Sequence, residues 1–355
     1  MRLLPPRLLV PLLVAAALGA AAASAHRAAR SSVTVLDGPA MGARYSVTIG
    51  SVLDARAKAR AAAVVSGELA RIDALMSNWR ADSEVERVNR SRTTAPIAVS
   101  RELAELVAIA RRVSGVSGGA FDITVAPVVQ AWGFGPSREL ITQPTDAQLA
   151  LARVAVGYRL LDVAPAQRTL TKRRPDTSCD LSGVAPGYAA DRIAAALAAL
   201  GHRDLLVDVG GEIKALGRRP DGSPWRVAVA APPRSEDADS WTARDAAATV
   251  ALSGLALATS GDYRDFRIDA SGRRQPHIID PRTARPVRHA LASATVVRPS
   301  AADADALATA LMVLGPDEGA ALAEREHLAA YFIVRGTGGS FETRQTRAFA
   351  ALRAD

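Results

Sequence analysis

The sequence predicts a mixed α/β (α+β) fold in which β-sheets are flanked by helices. Segments with apolar residues three and four positions apart, typical of helices, occur along the chain together with short alternating segments typical of strands. There is no short-period repeat, and no linker interrupts residues 33–355. The 355 residues, 49% of them hydrophobic, are enough for one large or two modest domains.

The first third of the chain predicts one strand followed by helices. Residues 33–49 contain alternating apolar positions after a turn at Asp37-Gly38-Pro39, which predicts a strand. Ser100 is a suitable N-cap, with the acidic Glu102 in the first turn of the helix that follows. The predicted helices are 53–75, a short one that ends at residue 89, and 101–113.

The middle of the chain is richer in glycine and aromatic residues. Residues 115–119 are either an ordinary loop into a strand at 120–125 or a place where the backbone closely approaches a flat or charged ligand. Residues 127–136 are an irregular aromatic segment. A capped helix is predicted from Thr145 and a hairpin over 160–170.

Strands dominate the last third. A tight turn is predicted at 259–263, a helix at 301–314 and a polar tail at the C-terminus. The predicted strands are 204–209, 225–230, 246–257 (one or two strands), 277–283 (which breaks into a turn), 292–297 and 329–334.

The N-terminus has the pattern of a secretory signal peptide. Arg2 and Arg7 precede an apolar run at 8–23 that ends in the small residues Ala23-Ser24-Ala25. An uncleaved membrane anchor is the alternative, because the run approaches spanning length. No cysteine follows the run, so we expect no lipid anchor. The resulting division is a signal peptide at 1–25, a linker at 26–32 and one domain at 33–355.

Charge and cysteine content exclude two classes of function. The net charge is +8, but the arginines that supply it are scattered among acidic residues rather than gathered in a stripe with aromatics. We therefore expect no nucleic-acid-binding surface. The single cysteine, Cys179, cannot form an internal disulfide and has no nearby histidine partner, which favours a buried structural thiol over a nucleophile.

Residues 180–200 combine a glycine-containing turn with a helix. Pro186 suits the first position of that helix, where a missing N–H costs nothing, and Gly201 suits its end. A helix start of this kind directs N–H groups and a positive dipole end at one spot, which suits a phosphate, and Asp180 is placed to face the same spot. The alternative is a strand–turn–helix unit that binds nothing.

The helix at 301–314 carries a candidate metal site. Asp303 is explained as the acidic partner of an N-cap at Ser300. Asp305 has no such explanation and lies one turn before Thr309, on the same helix face. A carboxylate and a hydroxyl are hard oxygen ligands that suit Mg²⁺. The alternative is an aspartate paired with a core arginine and a threonine bonded to its own helix.

His277 is a candidate for proton transfer. It stands at the end of a predicted strand, close to Asp280, and an imidazole titrates near working pH. A structural histidine is the alternative.

Eight stretches of the chain together carry a family pattern. They are Met41-Gly42 with Tyr45-Ser46-Val47; Met76-Ser77-Asn78-Trp79 with Asp82-Ser83-Glu84 and Asn89; Gly119-Ala120-Phe121-Asp122-Ile123-Thr124; Asp180-Leu181-Ser182-Gly183 with Gly187-Tyr188-Ala189 and Asp191; Gly210-Gly211-Glu212-Ile213; Thr259-Ser260-Gly261-Asp262-Tyr263; His277-Ile278-Ile279-Asp280-Pro281-Arg282-Thr283; and Ala304-Asp305-Ala306-Leu307-Ala308-Thr309-Ala310-Leu311. In this order, over about 33–332, the chain resembles the FAD:protein FMN transferases of the ApbE family, formerly labelled thiamine-biosynthesis lipoproteins.

The resemblance implies an ApbE-like fold of two intertwined subdomains and a periplasmic enzyme that binds FAD and Mg²⁺. Such an enzyme cleaves the pyrophosphate of FAD, transfers FMN to a threonine hydroxyl of an acceptor protein and releases AMP. The implied acceptors are flavin-carrying electron-transfer proteins, either periplasmic flavoproteins or subunits of membrane redox complexes. A homodimer is a possible assembly.

The resemblance also implies roles for individual residues. His277 matches a histidine proposed to assist catalysis, and either His277 or Asp280 is interpreted as the base for the acceptor hydroxyl. The implied metal ligands are the Gly183 carbonyl, Asp305 and Thr309. The implied FAD-site residues are Met41, Trp79, Gly119, Ala120, Phe121, Asp180 and Ile279.

The sequence departs from the family pattern at two positions. Pro186 stands where the family usually has a lysine or another charged residue, so a side-chain contact to FAD is lost. Ala284 stands where the family usually has glycine. A Mg²⁺-dependent FAD pyrophosphatase and a non-catalytic periplasmic flavin-binding protein are the alternative functions. Asp305 with Thr309 argues against the second, and Pro186 favours it.

Overall fold

The computed structural model describes residues 32–136, 143–232, 246–263, 266–268 and 274–354. The predicted signal peptide at 1–25, and the linker apart from its last residue, lie outside these ranges. The strands are β1 (Thr34–Ala40), β2 (Ala43–Ile49), β3 (Ile97–Ala98), β4 (Leu161–Ala164), β5 (Thr169–Lys172), β6 (Leu205–Val209), β7 (Glu212–Leu216), β8 (Trp225–Ala230), β9 (Ala246–Leu252), β10 (Ala256–Gly261), β11 (Phe266–Ile268), β12 (Arg274–Pro276), β13 (Ile279–Asp280), β14 (Arg285–Pro286), β15 (Leu291–Arg298), β16 (Ala329–Arg335) and β17 (Phe341–Gln345). The helices are α1 (Ala55–Met76), α2 (Glu84–Arg90), α3 (Arg101–Val116), α4 (Ala126–Ala131), α5 (Asp146–Arg153), α6 (Ala185–Ala199), α7 (Ala301–Arg325) and α8 (Arg347–Ala350).

An eight-stranded antiparallel sheet in the order β1-β2-β6-β7-β10-β15-β16-β17 forms the centre of the fold. Two of its hairpins close with two-residue turns in which both residues have positive φ. These are Met41 (48°) with Gly42 (76°), and Gly210 (71°) with Gly211 (108°). Such turns match the twist of the strands that they join.

Each face of the sheet buries its own layer, because alternate residues of a strand point to opposite sides. In β16, Phe332 belongs to a large core shared with helices α1, α3, α6 and α7. Its neighbour Tyr331 belongs to a second core, formed with the β8–β9 hairpin and the C-terminal helix α8. This architecture confirms the predicted mixed α/β fold with sheets flanked by helices.

Most predicted helices and strands are present, but residues 33–49 form the hairpin β1–β2 rather than one strand. Asp37-Gly38-Pro39 lies inside β1 instead of forming a turn. Proline is tolerated there because β1 is at the edge of the sheet, where a missing N–H is not needed for pairing. The turn is at Met41-Gly42, where both residues adopt positive φ.

Four further segments differ from the prediction. The strand expected at 120–125 is absent, and Asp122 instead caps a 3₁₀ turn at Ile123–Val125. The segment at 127–136 begins as helix α4, and residues 259–261 extend β10 instead of forming a tight turn. The polar tail contains β17 and α8.

Helix α7 runs well beyond the predicted end at residue 314. Gly315 has non-helical angles (φ 81°), and Pro316 follows, so the helix is kinked there rather than terminated. By length and composition α7 is the one helix of the described residues that is apolar enough to cross a membrane, and 61% of its most apolar window is buried inside the protein. It is the central helix of the large core.

Candidate active site

Several of the eight sequence stretches meet at one end of the central sheet. In the antiparallel register, Tyr45 pairs with Val209, and the Gly210 N–H donates to the Arg44 carbonyl at 2.9 Å. Strand β10 pairs with β7 in the opposite direction, so its last residues, Thr259 to Gly261, extend past the β6–β7 turn. The β1–β2 turn, the β6–β7 turn and the end of β10 therefore share this end.

Helices α6 and α7 pack closely at Gly187. A Cβ atom there would lie 2.4 Å from the Ala301 carbonyl oxygen and 2.8 Å from the Asp305 Cβ, so only glycine fits without a shift. The Gly187 N–H also donates to Asp305 Oδ2 at 3.0 Å. The first turn of α6 is thus in direct contact with the candidate metal ligand.

Helix α6 also holds the start of α7. Asp191 Oδ2 accepts from the Ser300 hydroxyl at 2.8 Å and from the Ala302 N–H at 3.1 Å. Ser300 itself accepts from the Asp303 N–H, as the sequence predicts for an N-cap. The Asp303 side chain pairs with Arg112 on the surface, which leaves Asp305 as the inward-facing carboxylate of this helix.

Asp305 is 5% exposed, and its burial raises the pKa of the carboxyl group to about 7. Within the described ranges, no lysine or arginine forms an ion pair with it. One turn on, the Thr309 hydroxyl lies 3.0 Å from the hydroxyl of Ser260, a residue of β10. The described residues therefore show neither part of the structural alternative, the core arginine or the threonine bonded to its own helix.

Gly183 completes this group. A Cβ atom on Gly183 would lie 3.2 Å from Thr309 Oγ1 and 3.3 Å from the Phe121 ring. The structure thus brings the three predicted metal ligands together, although they come from two distant parts of the chain.

The chemistry of this donor set fits Mg²⁺. The group offers a buried carboxylate with no cationic partner among the described residues, a hydroxyl and a peptide carbonyl, all of them hard oxygen ligands. In the described part of the chain, no group of three or more histidine, cysteine or acidic side chains is placed to hold a metal ion. A site with one carboxylate suits Mg²⁺, which completes its shell with phosphate oxygens and water.

The glycine-rich loop and the Asp180 segment lie against each other. The Asp180 N–H donates to the Ile123 carbonyl at 2.6 Å, and Asp180 Oδ1 accepts from the Ser182 N–H at 2.9 Å. Gly119 has a φ of 83°, and the next two residues, Ala120 and Phe121, are buried. These three predicted FAD-site residues thus lead into the turn that binds Asp180, and one of them, Phe121, lies beside Gly183.

Trp79 follows Asn78, which binds the Asp180 segment, and Met41 lies in the β1–β2 turn at the same end of the sheet. The Trp79 side chain is 54% exposed in the loop between α1 and α2. Met41 packs partly on the large core and also lines a groove of about 450 Å³ between the β1–β2 hairpin and α1. Both residues leave apolar surface accessible to a ligand.

His277, Ile279 and Asp280 belong to a second group of residues. The His277 ring meets Phe134 edge-on, with centroids 6.4 Å apart. Ile279 is buried in a small cluster with Trp132, whose indole Nε1–H donates to the Ala284 carbonyl at 2.9 Å. This segment is thereby fixed against the aromatic stretch that follows the glycine-rich loop.

Asp280 is 9% exposed, and both of its carboxylate oxygens are bound by Arg282. Arg282 Nε lies 3.0 Å from Oδ1, Nη2 lies 3.0 Å from Oδ2, and the Arg282 N–H donates to Oδ1 at 2.8 Å. The hydrogen bonds to Asp280 raise the pKa of Arg282. This pair holds the turn after β13.

Sequence reasoning missed two contributions to the site. Ser260 meets Thr309 across 49 positions of sequence, and no spacing pattern in the chain signals that contact. Asn78 and Asn89 occur in the matched stretches, but only the structure shows that both bind the segment around Asp180.

Comparisons with known proteins identify the family of this chain. A family model described as the ApbE family matches residues 41–332. The FAD:protein FMN transferase of Haemophilus influenzae is 37% identical over 328 residues, which cover 91% of this chain and 92% of that protein. The apo form of Pseudomonas stutzeri flavinyl transferase ApbE superposes with a TM-score of 0.80 at 39% identity, covering 90% of this chain and 96% of that one. The flavin transferase ApbE from Vibrio cholerae has a TM-score of 0.78 at 34% identity, covering 90% and 99%. The chain therefore belongs to the ApbE family, and it is a transferase.

Proposed function

We propose that this protein is an FAD:protein FMN transferase that moves FMN from FAD to a threonine hydroxyl of an acceptor protein. The observation that carries the proposal is the buried Asp305 carboxylate, which has no cationic partner in the described residues and lies in one group with Thr309 and Gly183. The names of the relatives support the flavin and the protein acceptor. Mg²⁺, the threonine and the release of AMP are part of the proposal.

The proposed reaction exchanges one phosphorus–oxygen bond for another. The threonine oxygen forms a bond to the phosphorus of the FMN half, and the bond from that phosphorus to the bridging oxygen breaks. The bridging oxygen leaves with AMP, and the threonine proton goes to a base on the enzyme. Such a reaction depends mainly on positioning and on neutralising charge on the transferred group.

Asp305, Thr309 and the Gly183 carbonyl would hold the metal. A bound Mg²⁺ supplies positive charge that offsets the charge of the pyrophosphate oxygens. Gly187 keeps the Asp305 carboxylate in place through its N–H, and the start of α6 adds a positive helix dipole end.

The FAD site is proposed along Met41, Trp79, the loop Gly119-Ala120-Phe121, Asp180 and Ile279. The exposed ring of Trp79 offers an apolar face of the kind on which a flavin ring packs. Pro186 cannot supply the charged contact that the family usually has at this position. FAD binding therefore depends on the other residues of the site.

His277 is the proposed base for the threonine proton. Asp280 was the other candidate, but Arg282 binds both of its oxygens, so we assign it to holding the turn after β13. His277 lies on the same segment, next to the aromatic ring of Phe134. The family resemblance and this placement support the assignment. In a transfer assay, His277→Ala should therefore be much slower than the wild type, and a rate near wild type would remove the assignment.

We also propose that one domain at 33–355 acts in the periplasm after removal of residues 1–25, without a lipid anchor. The proposed acceptors are exported flavoproteins or subunits of membrane redox complexes. No nucleic-acid partner is proposed. A homodimer is a possible assembly, which light scattering of the purified chain would test.

Incubation of the mature protein with FAD, Mg²⁺ and a candidate acceptor domain, followed by intact-mass measurement, tests the transfer. An FMN adduct on the acceptor is the expected result. FMN and AMP in solution without an adduct would indicate the pyrophosphatase instead. Unchanged FAD would contradict both the transferase and the pyrophosphatase, and the flavin-binding protein would then be the remaining alternative.

Asp305→Asn tests the metal site directly. We expect it to abolish transfer and to remove the rise in unfolding temperature that Mg²⁺ gives the wild type, because a ligand that binds only the folded state stabilises it. Asp303→Asn is the matched control, since Asp303 lies on the same turn but pairs with Arg112. A Mg²⁺ response that survives in Asp305→Asn would place the metal elsewhere.

A further inference from the structure

We infer that Asn78 and Asn89 are positioning residues that hold the backbone on both sides of Asp180 and so aim its carboxylate at the FAD site. The inference rests on the proposed function, because it takes Asp180 as an FAD-site residue. The chain of 355 residues contains only these two asparagines, and both bind the same short segment, residues 179–181.

Asn89 pairs with Cys179 in the way that a neighbouring strand would. Its Nδ2 donates to the Cys179 carbonyl at 2.9 Å, and its Oδ1 accepts from the Cys179 N–H at 2.7 Å. Cys179 is 1% exposed, so water cannot replace these bonds without a local opening. The side-chain amide therefore satisfies both backbone groups of a buried residue.

Asn78 extends the same pairing by two residues. Its Nδ2 donates to the Cys179 carbonyl at 2.7 Å, and its Oδ1 accepts from the Leu181 N–H at 3.0 Å. Leu181 is fully buried. The two asparagines thus bind residues 179 and 181 from the same side.

Asp180 is bound from the opposite side. Its N–H donates to the carbonyl of Ile123, in the 3₁₀ turn that follows the glycine-rich loop, at 2.6 Å. The segment is therefore fixed between the two asparagines, which bind residues 179 and 181, and the turn at Ile123, which binds residue 180. The direction of the Asp180 side chain follows from this fixed backbone.

Glu86 sets the orientation of both amides. Its Oε1 accepts from Asn78 Nδ2 at 3.0 Å and from Asn89 Nδ2 at 2.9 Å. Each Nδ2 group therefore uses one hydrogen on Glu86 and the other on Cys179. An aspartate at either position has the same shape but cannot donate, and its charge would face a carboxylate and a carbonyl oxygen.

Asn89→Asp in the full-length mature protein is the primary test. We expect FAD to bind roughly 10- to 100-fold more weakly, as a small displacement of a binding group can cause. Gln148→Glu, the same amide-to-acid change at the exposed start of α5, should leave FAD binding unchanged. Equal FAD affinity in Asn89→Asp and the wild type would overturn the inference.

A double-mutant cycle separates positioning from general stability. If Asn89 acts through Asp180, Asn89→Asp should change the FAD dissociation constant by less than about twofold in an Asp180→Ala background. If Asn89→Asp changes the FAD dissociation constant by the same factor with and without Asp180→Ala, Asn89 acts only on the overall fold. If Asn89→Asp does not fold, Asn78→Ser takes its place in the cycle, since it removes the donor without adding charge.

Hydrogen exchange tests, without flavin, whether Asn89 holds the backbone of residues 179–181. In Asn89→Ala without FAD, the amide of Cys179 should exchange faster, while amides of the central sheet keep their wild-type rates. An unchanged exchange rate at the Cys179 amide would show that Asn89 does not hold this backbone. If the wild type binds no FAD, the proposed function fails, and this measurement still decides whether the asparagines hold the segment.

Discussion

At the scale of single residues, the site depends on places where no larger side chain fits. Gly187 is the clearest case, because it allows α6 to touch both the Ala301 carbonyl and Asp305. Its N–H also donates a hydrogen bond to the Asp305 carboxylate. One small residue therefore determines both a helix contact and the position of the candidate metal ligand.

Gly187→Ala should lower the free energy of unfolding by about 1–3 kcal/mol, because the added methyl group forces the two helices apart. Mg²⁺-dependent transfer should fall as well, since Asp305 must move. Gly67→Ala is the matched control: Gly67 lies inside α1 with open space around its Cβ position. That change should raise stability by about 0.5–1 kcal/mol through helix propensity. Urea unfolding of both variants checks the pair, and a Gly187→Ala protein as stable as the wild type would refute the close-packing argument.

At the scale of elements, helix α7 is kinked beside a half-buried histidine, His289. Pro316 lacks the N–H that would bond back into the helix, and the His289 ring lies against Gly315, where a Cβ would be 2.7 Å from its Cδ2. His289 Nδ1 accepts from the Leu291 N–H at 3.3 Å. Burial lowers the pKa of His289, an effect that exceeds the opposing influence of the Met312 and Val313 carbonyls and of the Asp262 charge.

This arrangement predicts a loss of stability in mild acid. The folded-state pKa of His289 lies below the value of about 6.5 in the unfolded chain, so the unfolded state binds more protons in that interval. The contribution is fully present above pH 6.5 and is lost as the pH falls through the folded-state pKa. His289→Gln should therefore lose less stability than the wild type between about pH 7.5 and about pH 5. Urea unfolding at the two pH values measures this, and an equal loss in both proteins would exclude His289 as the source.

At the scale of the whole molecule, the sheet separates two layers, and the proposed metal ligands belong to only one of them. The helix side carries α6, α7 and the proposed metal ligands, and the other side is closed by the β8–β9 hairpin and α8. The site lies at the turn end of the sheet, where segments distant in sequence meet. Truncation of α8 would expose the second core without touching any proposed ligand.

Export of the whole chain is the prediction at this scale. Expressed with residues 1–25 in a bacterium that has a periplasm, the protein should be recovered from the periplasmic fraction with a mass that begins at His26. The physical reason is the basic start, the apolar run and the small residues before the expected cleavage site. Recovery of the uncleaved chain from the membrane fraction would support the anchor alternative instead.

The sequence predicts those features that depend on local periodicity. The shared face of Asp305 and Thr309 follows from their spacing, and helices such as α1 follow from apolar periodicity. The turn predicted at Asp37-Gly38-Pro39 is wrong. These residues are typical turn formers, but the actual turn between β1 and β2 uses Met41 at positive φ. Local signals cannot distinguish a proline in a turn from one on an edge strand.

Long-range contacts account for the rest of what the sequence does not show. The contact of Ser260 with Thr309 and the convergence of both asparagines on Cys179 depend on how distant segments pack. No spacing rule connects residues that are 49 or about 100 positions apart. The end of α7 was placed too early for a related reason: Gly315-Pro316 would stop an isolated helix, but here the buried packing continues to Ala323.

The burial of Cys179 has a consequence for its chemistry in the periplasm, where we propose that this protein acts. Thiol oxidants are abundant outside the cytoplasm, and an accessible thiolate there forms mixed disulfides. Burial raises the pKa of Cys179 to about 12, and the residue is 1% exposed, so almost no thiolate is available for attack. A thiol reagent should therefore label Cys179 only after unfolding, and rapid labelling of the native protein would contradict this. The residue next to Asp180 can thus remain reduced in an oxidising compartment without any disulfide to protect it.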